Sequence, residues 1–432
     1  MEYNLLEESW IPVLYHDGRW ERVGIKRALT EAGRIRAIAA PNPMDRVAIF
    51  RFLLALLYWC RGNPPDEDAI KEMDSFPAER FTKLDENRSC FDLFGEGSRF
   101  YQDSTAQRVR PATDLLQEIP AGNNFWHFRH STDTVDGLCA ACCVLGLLRL
   151  PLFSVSGLPD LMAGINGTPP VYVIPWRNSL RDTLKANWTP CSQIGVPAWV
   201  DADIRPTSGQ EVPLLTGLTL LPRHVWLHEP EPSGTCIACG LTKTAIIHTC
   251  EFQSAGRQEN NLWRDPHVVY SDGTPRRKAK APDPTAAGKF QMDRPWPELL
   301  ARIVEAANTS TEVGNASVLL VGFATRQALN LDAWERVVHV QTGVSDREAS
   351  AVALRHWQKQ GTGLASAVTR KVAPKGGKKT PGSHADVHSV VGSIRPNIEH
   401  TVSKEIGALI VPDNAAWDQA TLEYRPMMAA IA

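Results

Sequence analysis

The sequence predicts an α+β chain: a large mixed N-terminal domain over residues 1–344 that carries a structural zinc site, then a C-terminal helical bundle over 345–432. Three observations carry this. Cys139-Ala-Ala-Cys142 and Cys236-Ile-Ala-Cys239 are two C-x-x-C pairs, far apart in sequence, with the spacing that lets thiolates converge on one tetrahedral metal. Short extended runs alternate with helical patterns as far as about Val344. Beyond that point the composition changes to long helical stretches: Asp346 to Val372, His384 to Leu409 and Asn414 to Ala430.

The first element is a hairpin. Residues 3–15 alternate, Asp17-Gly18 signals a turn, and Trp20-Glu21-Arg22-Val23 resumes the extended pattern. Ile25 to Ala40 reads as a helix. Asn42-Pro43-Met44-Asp45 starts another, with Asn42 as the cap, Pro43 at the first position and Asp45 near the positive end. It runs to about Trp59 and is apolar nearly all round, broken by Arg46 and Arg51, so it should be buried. Residues 121–138 (AGNNFWHFRHSTDTVDGL from Ala121) have no sustained period and form a long loop with aromatics, a candidate for function. Leu138 to Leu150 reads as a helix carrying the first cysteine pair. Val171 to Pro175 reads as a strand, Ser179 to Asn187 as a helix, and Gly217 to Leu227 as a strand pair leading to the second cysteine pair. Residues 272–289 are Pro-, Gly- and Lys-rich, a solvated loop. Pro297 to about Asn308 reads as a helix, and Val318 to Phe323 as a buried strand from which residues 324–328 turn out.

Totals narrow the class. The 432 residues exceed what one core holds, so two or three domains are expected. Hydrophobic residues at 43% and charged residues at 22% argue against global disorder. A net charge of −2 does not advertise a nucleic-acid binder, although it leaves room for a local basic surface. Nine cysteines in clustered spacing fit a reducing cytoplasm better than a disulfide scaffold. The acidic start MEYNLLEESW has no signal-peptide pattern, and no run reaches the ~18 apolar residues of a membrane span.

The metal site has competing readings at this level. A local C-x2-C-x8-H-x-C set, Cys236, Cys239, His248 and Cys250, closes a ribbon without the first pair. Cys143 competes with Cys142, and both also fit a buried apolar helix. His384 and His388 share a helix face at i and i+4 and are the best candidates for a metal-dependent nuclease or hydrolase, but no Glu lies beside them and no third ligand is evident. Asp265-Pro266-His267 reads as a turn before a strand at Val268. With no nucleophile elbow, no nucleotide fingerprint and no dense carboxylate cluster, the residues favour a binding protein over an enzyme.

The N-terminal run Asn4-Leu5-Leu6-Glu7-Glu8-Ser9-Trp10-Ile11-Pro12-Val13 resembles the opening of the CasA family, the large subunit of the type I-E CRISPR surveillance complex Cascade. The Pro43-to-Trp59 helix, Phe91-Asp92-Leu93-Phe94, the two cysteine pairs and Val321 to Ala328 follow in the same order. The resemblance implies a non-catalytic antiviral-defence subunit that works with crRNA and the other Cascade subunits. Such a subunit recognises the PAM of double-stranded DNA, promotes strand separation for R-loop formation and recruits the helicase-nuclease. It also implies zinc on Cys139, Cys142, Cys236 and Cys239, and contacts of the 121–138 loop with the complex. By the same resemblance Gln327 with Ala328 takes the place of a DNA wedge, beside Arg326. The stretch from Phe153 to Gly157 takes that of a glycine-rich loop, with Gly157 its one glycine, and Arg257 is the basic residue nearest the place of a lysine finger. The family closes with four helices, and three are legible here, so the bundle is expected either to be short by one helix or to be completed differently.

Overall fold

A computed structural model describes residues 2–61, 73–117, 137–155, 162–207, 209–256, 262–270, 287, 315–326 and 329–341. The chain divides into two compact units: Met1–Val268 with Gly273–Lys289 and Leu320–Arg336, and Val269–Asp272 with Phe290–Leu319 and Val337–Ala432. Nearly all described residues belong to the first. The bundle and domain boundary expected near 345, the helix expected from Pro297 and the His384–His388 pair lie outside the described residues.

The expected hairpin forms as β1 (Ile11–Tyr15) and β2 (Trp20–Val23), with Ile11 opposite Val23 and Gly18 N–H closing the turn on the Tyr15 carbonyl at 3.0 Å. The next segment departs from expectation. Helix α1 covers only Ile25–Thr30, and β3 (Ile35–Ile38) then pairs with β1, Val13 opposite Ile38. Its ends Ile35 and Ile38 are buried, and pairing with the hairpin satisfies the backbone that a continued helix would have satisfied internally.

Helix α2 (Pro43–Arg61) is the core element. Asn42 Oδ1 accepts from Met44 N–H at 2.9 Å, as a cap should. The helix is buried on nearly every side, and Phe52 and Trp59 pack with Phe91, Phe100, Tyr101 and Trp199. Its two buried charges are each paired: Arg51 Nη1 with Asp265 Oδ2, and Asp45 Oδ1 with Arg149 Nε, both at 2.6 Å.

Short α3 (Thr82–Glu86) and β4 (Val109–Pro111) follow. The expected helix at 138 begins instead as a two-residue strand, β5 (Leu138–Cys139), before α4 (Ala140–Phe153) packs on α2. Strand β6 (Val171–Trp176) and helix α5 (Leu180–Ala186) fall where the sequence placed them, the latter capped by Ser179 accepting from Asp182 N–H. The strand pair expected from Gly217 is half right. Its first part is a buried helix, α6 (Leu214–Thr219), and only β7 (Arg223–Leu227) is extended. Next come β8 (Glu231–Thr235), β9 (Thr242–Ile247), β10 (Thr249–Ser254), β11 (Asn315–Arg326) and β12 (Leu329–Gln341). The sheets run β2-β1-β3, β4-β10-β7, β12-β11-β6 and β5-β9-β8. Among the described residues no helix is long and apolar enough to cross a membrane.

Candidate metal centre

The fourth sheet builds the centre. β9 pairs with β5, which puts Cys139 opposite Ile246, and with β8, which leads into the second cysteine pair. Between β8 and β9 the chain makes a tight knuckle: Cys236 N–H donates to the Leu241 carbonyl and Gly240 N–H to the Cys236 carbonyl, both at 2.8 Å. Gly240 stands at φ +72°, a left-handed turn that glycine adopts without strain. The first pair reaches the knuckle from the end of β5 and the first turn of α4.

The four sulfurs of Cys139, Cys142, Cys236 and Cys239 lie within 4.8 Å of one another, with Cys139 and Cys239 3.8 Å apart. Tetrahedral zinc–sulfur bonds of about 2.3 Å place sulfurs roughly 3.8 Å apart, so the cluster fits a four-cysteine metal site with little adjustment. Three of the cysteines are buried and Cys239 is exposed. Sulfurs this close shift one another's ionisation. The hydrogen bond with Cys142 lowers Cys139, but Cys236 and burial push it up to about 12. Hydrogen bonds with Cys139, Cys236 and Cys239, reinforced by burial, drive Cys142 upward. Those with Cys139 and Cys142 hold Cys236 down, and that with Cys142 brings Cys239 to about 6. A bound divalent cation would favour the thiolate form of all four.

The local alternative does not assemble. Among the described residues Cys250 is in no such cluster. Its sulfur lies 4.0 Å from the Pro111 carbonyl, and His248 Nε2 lies 3.5 Å from a Glu231 carboxylate oxygen. Cys143 likewise points into the core, fully buried. All nine cysteines are free.

One further grouping was invisible in the sequence because it draws on three segments: Asp103, Asp203 and His224. A cation already sits there. Arg205 Nη2 is 2.7 Å from His224 Nε2 and 3.0 Å from Asp203 Oδ1, and Thr105 Oγ1 takes His224 Nδ1 at 3.0 Å. Asp265 and His267 do form a turn, but Val268 makes an isolated bridge to Tyr172 rather than starting a strand. Asp265 is fully buried. Burial raises its carboxyl, and Arg51, His267 and Asn166 together outweigh this and hold it below the usual carboxylate range.

The expected DNA-facing residues fall where description stops. Gln327, Ala328, Gly157 and Arg257 lie outside the described residues, as does the loop expected over 121–138 up to residue 136; Arg326 ends β11. The run 324–326, expected to turn out, continues as strand, so only two residues separate β11 from β12. The stems of the other two segments adjoin. Arg223 Nη2 donates to the Val155 carbonyl at 2.6 Å, Ser254 stands opposite Arg223 in the β7–β10 register, and Ala255 N–H donates to the Pro222 carbonyl at 3.1 Å.

The model of CRISPR-associated protein Cse1 matches residues 4–428. The chain belongs to the Cse1 family. A curated Cse1 relative, CRISPR-associated protein CasA/Cse1 of Thermus thermophilus, is 30% identical over 211 residues. That match spans 46% of this chain and 42% of the relative, less than half of the relative's length. Among solved structures, Thermus thermophilus CasA superposes with a TM-score of 0.74 at 18% identity, over 100% of this chain and 93% of that one. A chain of a CRISPR RNA-guided surveillance complex superposes with a TM-score of 0.69 at 16% identity, over 100% and 98%. At these identities the superpositions establish that this Cse1-family chain shares the fold.

Proposed function

We propose that this chain is the large subunit of a crRNA-guided type I-E Cascade complex in the cytoplasm, and that it is not an enzyme. In this reading it recognises the PAM of double-stranded DNA, promotes strand separation for R-loop formation, and recruits the helicase-nuclease through a C-terminal domain beginning near residue 345. The observation that carries it is the Cse1 family match over residues 4–428. Zinc is the metal that the four-thiolate set suits best. Bound by Cys139, Cys142, Cys236 and Cys239, with no open position, it supplies cross-linking and no chemistry.

The DNA-reading roles follow from the same assignment. Gln327 and Ala328 act as the wedge at the end of the β11–β12 pair. Leu320, Val321 and Phe323 are fully buried there, and Trp334 packs so closely on Gly322 that a Cβ would lie 2.3 Å from its ring. A wedge on so stiff a mount can bear the few kcal/mol that unstacking a base step costs. Gln327 offers donors and an acceptor to the freed base edges, and Arg326 pairs a phosphate. Gly157 and Arg257 approach the minor groove from stems that meet at Arg223.

The test is a PAM-library binding assay with complex assembled with and without this chain. PAM-dependent duplex binding that requires the chain supports the assignment; binding unaffected by its omission refutes it. Within an active complex, Gln327→Ala with Ala328→Gly should reduce permanganate reactivity of the protospacer more than it weakens duplex binding. Equal reactivity would remove Gln327 from strand opening.

A further inference from the structure

Two arginines interrupt the apolar run of α2. Arg51 is accounted for by Asp265 in the core. Arg46 asks for another reason. It stands in the first turn of the helix, where the positive end of the helix dipole disfavours a cation. Its guanidinium is held from two sides. Nη1 donates to the Ala40 carbonyl at 2.7 Å, ahead of the helix, and Nη2 lies 2.5 Å from Glu335 Oε2. The two side chains are 20% and 36% exposed, so the pair is partly shielded from solvent. Glu335 is the middle residue of β12, an outer strand of the sheet β12-β11-β6 whose neighbour in that sheet is β11. β11 is held differently. It lies between β12 and β6 and is buried at Leu320, Val321 and Phe323.

From this geometry we infer that Arg46 is a positioning residue for strand opening: through Glu335 it fixes the outer strand β12 to helix α2, so that the β11–β12 turn meets the duplex on two anchored strands. The inference rests on the wedge reading above. The cost of opening a base step loads both strands of the hairpin. Burial already braces β11, and the ion pair braces β12 against the most buried helix of the fold. An ordinary surface pair gains little because two long side chains must both be ordered. Here the Ala40 carbonyl already orders the guanidinium, so pairing with Glu335 costs less freedom. The placement of a cation at the unfavourable end of α2 then has a purpose, since that end is the one that reaches β12. Loss of the pair lets β12 tilt without unfolding it, which impairs opening more than it impairs the first contact with the duplex.

The experiment is a double-mutant cycle in assembled complex: wild type, Arg46→Met, Glu335→Gln and the two combined, with Gln327→Ala plus Ala328→Gly as reference and Lys26→Met as a remote control. Permanganate reactivity of the protospacer reports opening, and gel-shift affinity for the PAM duplex reports binding. Each single substitution should lower reactivity roughly threefold, the scale of one partly buried ion pair, with affinity nearly unchanged. The combined variant should lose no more than either single one, because the pair is broken only once. Lys26→Met should match wild type. Additive losses would overturn the inference, since Arg46 and Glu335 would then act separately. So would losses of affinity equal to the losses of reactivity. If Arg46→Met does not fold, unchanged reactivity in Glu335→Gln overturns it. Unchanged reactivity in both single variants, with the Gln327 reference impaired, overturns the role of Arg46 and leaves the wedge standing. Unchanged reactivity in the reference as well would overturn the wedge and this inference together.

Discussion

Helix α2 and the cysteine knuckle both tie remote parts of one chain together, and they do it by opposite means. Around α2 the joining force is burial. Its aromatics pack with residues from several segments, and its two buried charges find carboxylate or guanidinium partners on other elements. At the knuckle there is little to bury. The residues of β8 are mostly exposed, and β9 is buried only toward Ile246 and Ile247. Four sulfurs converge beside these exposed strands. Under the zinc proposal, burial holds α2 in place, whereas coordination would hold the solvent-facing turn.

Removing a ligand should separate the two regions most sharply. Cys236→Ser should lose bound zinc, measured by metal analysis after gel filtration, while near-ultraviolet circular dichroism of the tryptophan-rich core persists. His248→Ala and Cys250→Ser should leave the zinc content unchanged. If those two lose zinc and Cys139→Ser retains it, the site is local after all.

The core should fail through its charges. Arg51→Met leaves Asp265 buried without its cation, and losses of this kind cost about 3–5 kcal/mol in denaturant unfolding. Arg51→Met combined with Asp265→Leu should recover much of that, because both charges are gone. Acid should act in the same place. The folded pKa of Asp265 is depressed, so its stabilising contribution is complete above the ordinary carboxylate value of about 3.9 and disappears as pH falls through the lower folded value. In Arg51→Met the buried carboxyl, deprived of the guanidinium, should instead titrate higher when folded, so lowering the pH toward 4 should narrow the gap to wild type. A gap that widens would contradict the pairing.

Surface pairs should matter least. Lys26 bridges Glu7 and Asp85, carboxylates with side chains 52% and 60% exposed, and Lys26→Met should change stability by less than about 1 kcal/mol.

What could be read from the sequence follows the same division. The α2 helix announced itself through the Asn42-Pro43 start and a long apolar run, and the cysteine pairs through their spacing. Both are local signals. The segment after Ile25 misled because a helix and a short strand share one apolar stretch, and only pairing with β1 decides for β3. The apolar run at Leu214–Thr219 misled for the same reason: its length suits either state, and packing selected the helix. The pairing of Arg51 with Asp265 and the Asp103–Asp203–His224 grouping carry no local signature. They exist only after the chain has folded.

The claim that metal orders the knuckle while burial orders the core is tested most directly by hydrogen exchange on the full chain before and after zinc is chelated. The account predicts that amides of Gly137–Cys142 and of β8 and β9 lose protection, while those of α2 keep it. Unchanged protection across the knuckle, or loss through α2 to the same degree, would contradict it.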